Sequence, residues 1–193
     1  MNPRDKQAID ADPAKILLEH YDRLAGNSKD VFYKDISGIF SKPKLSSVIY
    51  RNSLAPGVSL GFTLGLSHFH PPGGTHKELV IAMRSNDGLW GLACASVANK
   101  VKEVCPFTPG DTMNFGTQIS KSSQMTGFLI SRPILFAEED ISIDTKIRTV
   151  ELVQLIPIYH NEIHNLLKPG KVTEFLASFS KEELLNPERK IFS

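Results

Sequence analysis

The chain has 193 residues, with 22 basic and 21 acidic side chains, a formal net charge of +1, and 41% hydrophobic residues. That length suits one domain with a sizeable core, expected over 1–193. The near balance of charge speaks against a nucleic-acid groove or a polybasic membrane anchor.

The clearest helix signal comes first, over 12–26. Asp12 can cap, Pro13 suits a first turn, Ile16, Leu17, Tyr21 and Leu24 lie near one face, and Gly26-Asn27 supplies the stop. Residues 27–43 have no strong period and read as loop with short extended pieces. Residues 44–52 read as a short strand, ended by Ala55-Pro56-Gly57.

From Val58 to Leu66 apolar residues alternate with small ones, the period of a half-buried strand. Pro71-Pro72-Gly73-Gly74 breaks the pattern before a second apolar run at 79–83, so a β-hairpin is expected. Facing Leu66 with Leu79, Leu64 with Ile81 and Phe62 with Met83 puts every pair on one apolar face. The other face, with Ser59, Gly61, Thr63 and Gly65, is bare, open to close approach by a helix, a strand or a partner chain. Gly57, Gly61 and Gly65 match a membrane-helix dimer spacing, but no apolar run of spanning length surrounds them.

Ser85-Asn86-Asp87-Gly88 offers a turn and cap. Trp90, Ala93, Cys94, Val97, Val101 and Val104 then recur at helical spacing, and the helix should end at Cys105-Pro106. A turn at 107–111 leads to a short strand at 112–115, and the polar stretch 116–124 reads as a mobile loop. Residues 126–131 and 149–159 are strand candidates, the second apolar enough for a central place. Between them, 136–145 is acidic and expected at the surface. Two short helices, 161–167 and 172–179, precede a polar tail. The order predicts an α+β fold with a mainly antiparallel or mixed β-sheet packed against helices.

Candidate chemistry centres on His68-Phe69-His70, with His76 and Glu78 nearby. Imidazoles two apart on a strand can share a metal, and a cupin-like, metal-dependent enzyme using His68 and His70 is the alternative reading. Three points oppose it. The expected register puts His76 and Glu78 on the opposite side from the pair. Glu78 lies too far from His70 for the cupin spacing, and no histidine follows Pro109-Gly110-Asp111 before His160.

Gly65-Leu66-Ser67 begins like a nucleophile elbow, but Phe69 stands where the second glycine belongs, so Ser67 reads as a strand-end hydrogen-bonding residue. Cys94 on an apolar stripe reads as inert packing. The two cysteines, Cys94 and Cys105, would lie roughly 16 Å apart on a helix, beyond disulfide reach. Reduced thiols, a start without an apolar leader, and a cytoplasmic location form one consistent expectation. His160, Glu162 and His164 read as a solvated first helical turn, and Trp90 as a core anchor. There is no Walker loop or dinucleotide fingerprint.

Several motifs then fall in a recognisable order. Gly65-Leu66-Ser67 is followed by Glu78-Leu79 opening a strand that ends at Arg84, by Trp90-Gly91-Leu92 opening a helix, and by Phe107 with Gly110-Asp111. Val153-Gln154-Leu155-Ile156-Pro157-Ile158-Tyr159 with Glu162-Ile163 and, last, Asn186-Pro187-Glu188-Arg189 complete the set. Together they resemble the suppressor of fused-like domain over about 48–192, leaving 1–47 as an N-terminal helix and loop.

The resemblance implies a single α+β domain without catalytic activity or cofactor. In eukaryotes such domains carry a further C-terminal region and restrain a transcription factor in Hedgehog signalling by gripping a short extended peptide. Stand-alone bacterial relatives include immunity proteins that neutralise polymorphic toxins, and this chain, ending after the first domain, looks more like those. In the eukaryotic members the Gly-Asp acid and an acid before a later proline face the peptide. Asp111 matches the first, whereas Ser131-Arg132 before Pro133 do not match the second. The expected partner is another protein, a toxin or an extended peptide segment, met by Asp111, Gly110, Ser67, His68 and His70. No residue is assigned to catalysis or to a metal, and the sequence does not specify an oligomeric state.

Overall fold

The computed structural model describes residues 12–26, 30–35, 44–69, 75–102 and 107–193, with 30–35 described as backbone alone. Its first helix, α1 (Pro13–Ala25), has the expected signals at both ends. Asp12 accepts a hydrogen bond from the Ala14 N–H at 3.0 Å, and Gly26 closes the helix at φ +69°. Leu17, Tyr21, Leu24 and Ala25 are buried.

Four strands follow as a meander: β1 (Asp30–Asp35), β2 (Ser46–Arg51), β3 (Ser59–Leu64) and β4 (His76–Met83), each antiparallel to the next. Helix α2 (Leu89–Val101) comes next, then β5 (Thr112–Asn114), β6 (Met125–Ser131), β7 (Ser142–Asp144) and β8 (Thr149–Tyr159). Three short helices close the chain: α3 (His160–Leu166), α4 (Lys171–Ser178) and α5 (Lys181–Leu184). The sheet is open and mixed, in the order β1-β2-β3-β4-β8-β6-β5. β8 runs parallel to β4, while β7 and then β6 share its other edge. This is the α+β architecture the sequence predicts, with β8 central.

The β3–β4 hairpin forms, but its register corrects the sequence reading. Phe62 faces Val80, Gly61 faces Ile81 and Ser59 faces Met83. An odd shift from the expected pairing swaps the faces. The cause lies in β4, whose run from Leu79 to Met83 is buried on both sides and so satisfies either parity. Leu60 and Phe62 pack with Val80, Ala82 and α1 on one face, where Tyr21 stacks on Phe62 at 4.3 Å between ring centroids. The bare face of β3 lies under α2. A Cβ on Gly61 would sit 2.5 Å from Gly91 Cα, and Ser47 Oγ donates to the Gly91 carbonyl at 3.0 Å. The close neighbour left open by the sequence is therefore a helix of the same chain.

Alternation along β8 sorts the rest of the core. Val153 and Leu155 join Phe128, Ile130, Trp90, Cys94 and Val97 under α2. Ile156 and Ile158 join Leu129 beneath α3 and α4 on the opposite face. Two loops differ from expectation. Residues 116–124 are tied down: Ile119, Ser120 and Ser123 are buried, Ser120 Oγ donates to Asp87 at 2.7 Å, and Ser123 Oγ donates to the Pro187 carbonyl at 2.6 Å. Within the acidic stretch 136–145, Ile141 and Ile143 are buried because β7 pairs with β8. Helix α5 was not anticipated, although Ser180 and Glu183 form a reciprocal capping box at its start. The expected helix end at Cys105-Pro106 and the 71–74 loop lie outside the described residues.

Candidate partner-binding site

Because β4 and β8 are parallel, both begin at the same end of the sheet, beside the point where β3 ends. The chain leaves β3 through Gly65 at φ +109°, where a side chain would collide with the Lys44 carbonyl, and enters a 3-10 turn at Leu66–His68. That turn is built on one buried carboxylate. Glu78 accepts from the N–H groups of Gly65 at 2.9 Å, Leu66 at 3.3 Å and Ser67 at 2.9 Å, and from Thr63 Oγ1 at 2.6 Å. Burial pushes the Glu78 carboxyl above its ordinary range, more strongly than these donors pull it down.

Ser67 is 3% exposed and works through its backbone. Its N–H is on Glu78, and its carbonyl accepts from His76 Nδ1 and from Arg148 Nη1, both at 2.9 Å. His68 is exposed, with Nδ1 3.5 Å from Arg148 Nη2. Burial, then Arg148, then His76 lower its pKa below the usual 6.5.

The second turn lies across the sheet end. Thr108 donates to Asp111 Oδ2 from its N–H at 2.7 Å and from its hydroxyl at 3.1 Å. Gly110, at φ +103°, donates its N–H to the Ile130 carbonyl, and the Ile130 N–H returns to the Asp111 carbonyl, both at 2.8 Å. Asp111 is exposed. Lys77 connects the two regions, donating to the Phe107 carbonyl at 2.6 Å with its ammonium 4.9 Å from the Phe107 ring centroid. A cleft of about 190 Å³ opens between Lys77, Pro109, Arg132, Glu138 and the start of β8. Arg132 and Glu138 form an ion pair at its wall.

Of the residues singled out from sequence, Ser67 and His68 share one turn, Gly110 and Asp111 share the other, and His70 lies outside the described residues. Glu78 and His76, considered from sequence as metal ligands, instead hold the backbone of the first turn. Among the described residues no group of three or more His, Cys, Asp or Glu is arranged to hold a metal ion. The Arg148 guanidinium beside His68 also repels a cation there. Cys94 is buried, and burial raises its thiol pKa well above the ordinary value, as suits inert packing. Sequence reasoning missed Arg148, because no local pattern links it to a turn eighty residues earlier.

It also missed Glu162. Expected to be solvated, Glu162 is buried against Arg189. His160 and His164 on the same helix are exposed.

The family model for suppressor of fused protein (SUFU) matches residues 42–190. The chain belongs to that family. Solved SUFU structures agree in fold. A protein from Neisseria gonorrhoeae FA 1090, described as a SUFU homologue, superposes with a TM-score of 0.65 at 17% identity, covering 92% of this chain and 95% of that one. A chain from the Sufu-Fu complex gives 0.63 at 15% identity, covering 94% and 92%. Drosophila Suppressor of Fused gives 0.65 at 15% identity over 92% of this chain, which spans half of the Drosophila chain. Comparison with curated proteins found no match. The SUFU match includes Ser67, His68, Gly110 and Asp111. No helix among the described residues is long and apolar enough to cross a membrane.

Proposed function

We propose that this SUFU-family chain is a non-catalytic protein-binding domain, working in the cytoplasm as an immunity protein that neutralises a polymorphic toxin. The observation that carries the reading is the pair of braced turns at one end of the sheet. Buried bonds to Glu78 and Ile130 fix both backbones, while His68 and Asp111 stand exposed between them and solvent. Preorganised loops on a rigid sheet lower the ordering cost of binding a partner. A family structure is itself described as a complex, Sufu-Fu, which supports protein recognition as the general task.

The bare face of β3 is not available to a partner, since α2 covers it at Gly61. Contact is assigned instead to Asp111, Gly110, His68, His70 and the backbone around Ser67.

The test is affinity capture from the native host, followed by co-expression with toxin genes neighbouring this one. Recovery of a toxin, and loss of protection with Asp111→Arg, is the expected result. No captured protein, together with no protection against any neighbouring toxin, rejects the reading. Metal analysis of protein purified without a His-tag separates it from a metal-dependent enzyme, for which stoichiometric zinc, iron or manganese is required.

A further inference from the structure

β8 changes neighbours part-way along one edge. β7 pairs with 149–151 and β6 with 154–159, so the edge passes from one strand to the other at Leu152 and Val153. The cleft of about 190 Å³ opens at this split, with Pro109, Ile141, Leu152 and Val153 as its apolar lining. The Ile141 carbonyl accepts the Leu152 N–H at 2.8 Å and holds that wall in place. Glu151 lines the same cleft and is exposed. Its cross-strand neighbours are Ser142 on β7 and Lys77 on β4. Lys77 does not answer its charge, because the ammonium is engaged by the Phe107 carbonyl at 2.6 Å and by the Phe107 ring. Arg132, the other cation of the lining, is paired with Glu138. Among the described residues no ion pair or hydrogen bond reaches the Glu151 carboxylate.

We propose that the cleft at the β6–β7 split takes one Phe or Leu side chain of an extended partner segment, with an Arg of that segment paired to Glu151. Size supports the apolar half. A cavity of about 150 Å³ lined by aliphatic and aromatic side chains holds benzene, so this cleft admits an aromatic ring or a branched aliphatic end. Charge supports the other half, since the one carboxylate of the lining without a partner calls for a cation. Arg fits best, because its planar fork matches carboxylate geometry. Alternate residues of an extended chain point the same way, as do Glu151 and Val153 on β8, so the two partner residues should stand two positions apart. A buried apolar anchor with a polar rim is the usual core of a protein interface. The site deepens the protein-binding reading and rests on it.

The test is NMR of the labelled full chain with the blocked peptide Arg-Ser-Phe-Ser-Arg, compared with Arg-Ser-Ala-Ser-Arg and Glu-Ser-Phe-Ser-Glu. Saturable shifts at Ile141, Glu151 and Leu152 with the first peptide, and binding about ten-fold or more weaker for the other two, are expected. Glu151→Lys should weaken the first peptide by a similar factor and strengthen the Glu peptide, while Ser142→Phe, which sets a ring at the cleft, should block both. Each variant changes an exposed side chain, so two independent probes remain should one of them fail to fold. Equal binding of the three peptides, no saturable response at the cleft, or a response unchanged by Glu151→Lys overturns the proposal. A captured host partner that binds wild type, Glu151→Lys and Ser142→Phe alike also overturns it, while leaving protein binding intact. Failure to capture any partner, with the peptide response present, rejects the broader reading instead.

Discussion

Arg189 reaches back from the C-terminal tail to form a two-pronged ion pair with Glu162, with Nη1 2.8 Å from Oε1 and Nη2 2.7 Å from Oε2. Both side chains are essentially inaccessible, at 1% and 0% exposure. The Glu162 carboxylate also accepts the N–H groups of Tyr159 and Phe192, and the guanidinium lies over the rings of Phe175 and Phe179. Removing one partner strands the other charge. Arg189→Ala or Glu162→Ala should each cost about 3–5 kcal/mol. The double variant with Leu at both sites should cost much less than their sum. Urea unfolding of all three proteins measures this, and additive losses would contradict a coupled pair.

The contact between β3 and α2 makes a sharper steric prediction. A methyl group on Gly61 would sit 2.5 Å from the backbone of Gly91, whereas one on Gly91 would sit 2.5 Å from a side-chain atom, Ile49 Cγ1. Gly61→Ala should cost about 1–3 kcal/mol, and Gly91→Ala should cost less. Chemical denaturation of the two variants settles the ranking.

Glu78→Ala should be the most damaging change near the candidate site, leaving three backbone N–H groups of the 3-10 turn unpaired. With each orphaned donor worth about 1–3 kcal/mol, the loss threatens folding. Glu78→Gln is the milder probe. Burial raises the folded carboxyl pKa above its unfolded value near 4.5, so protonation favours folding. The stability of the wild type relative to Glu78→Gln should be greatest below pH 4.5 and fall as pH rises through the folded value. Denaturation midpoints across that range measure the slope, and a rise with pH would refute it.

His20 should act in the opposite sense. Its Nε2 donates to the Asp140 carbonyl and its Nδ1 accepts from Arg23, both at 2.9 Å, so both nitrogens are engaged in the neutral ring. Burial lowers its folded pKa, outweighing the Asp140 hydrogen bond, while Arg23 adds to the lowering. Its contribution should be complete above pH 6.5 and fade as pH falls through the folded value. His20→Ala should remove about 1 kcal/mol at neutral pH and flatten this part of the pH profile. A His20 midpoint above 6.5 by NMR would refute the sign.

Much of the fold was legible where local chemistry and burial agree. Asp12, Pro13 and Gly26 mark α1, and the apolar run of β8 shows both its length and its central place. The β3–β4 register was not legible, because β4 has two apolar faces and alternation alone cannot choose between them. The candidate site divides in the same way. The Gly-Asp turn and Ser67 were visible in local motifs. The support from Arg148, and the burial of Glu162 by Arg189, depend on contacts that sequence spacing does not encode.

The parallel pairing of β4 with β8 also fixes an order of assembly. β1 through β4 pair with sequence neighbours and can zip by short loop closures, but His76 must wait for Val150. Such long-range closure is the slow part of folding. Until 149–159 docks, β4 presents an unpaired edge and an apolar run from Leu79 to Met83, the kind of surface that captures other chains. The molecule's main aggregation risk therefore belongs to the partly assembled chain, and changes that slow the arrival of β8 should lower the yield of folded protein before they alter the finished structure.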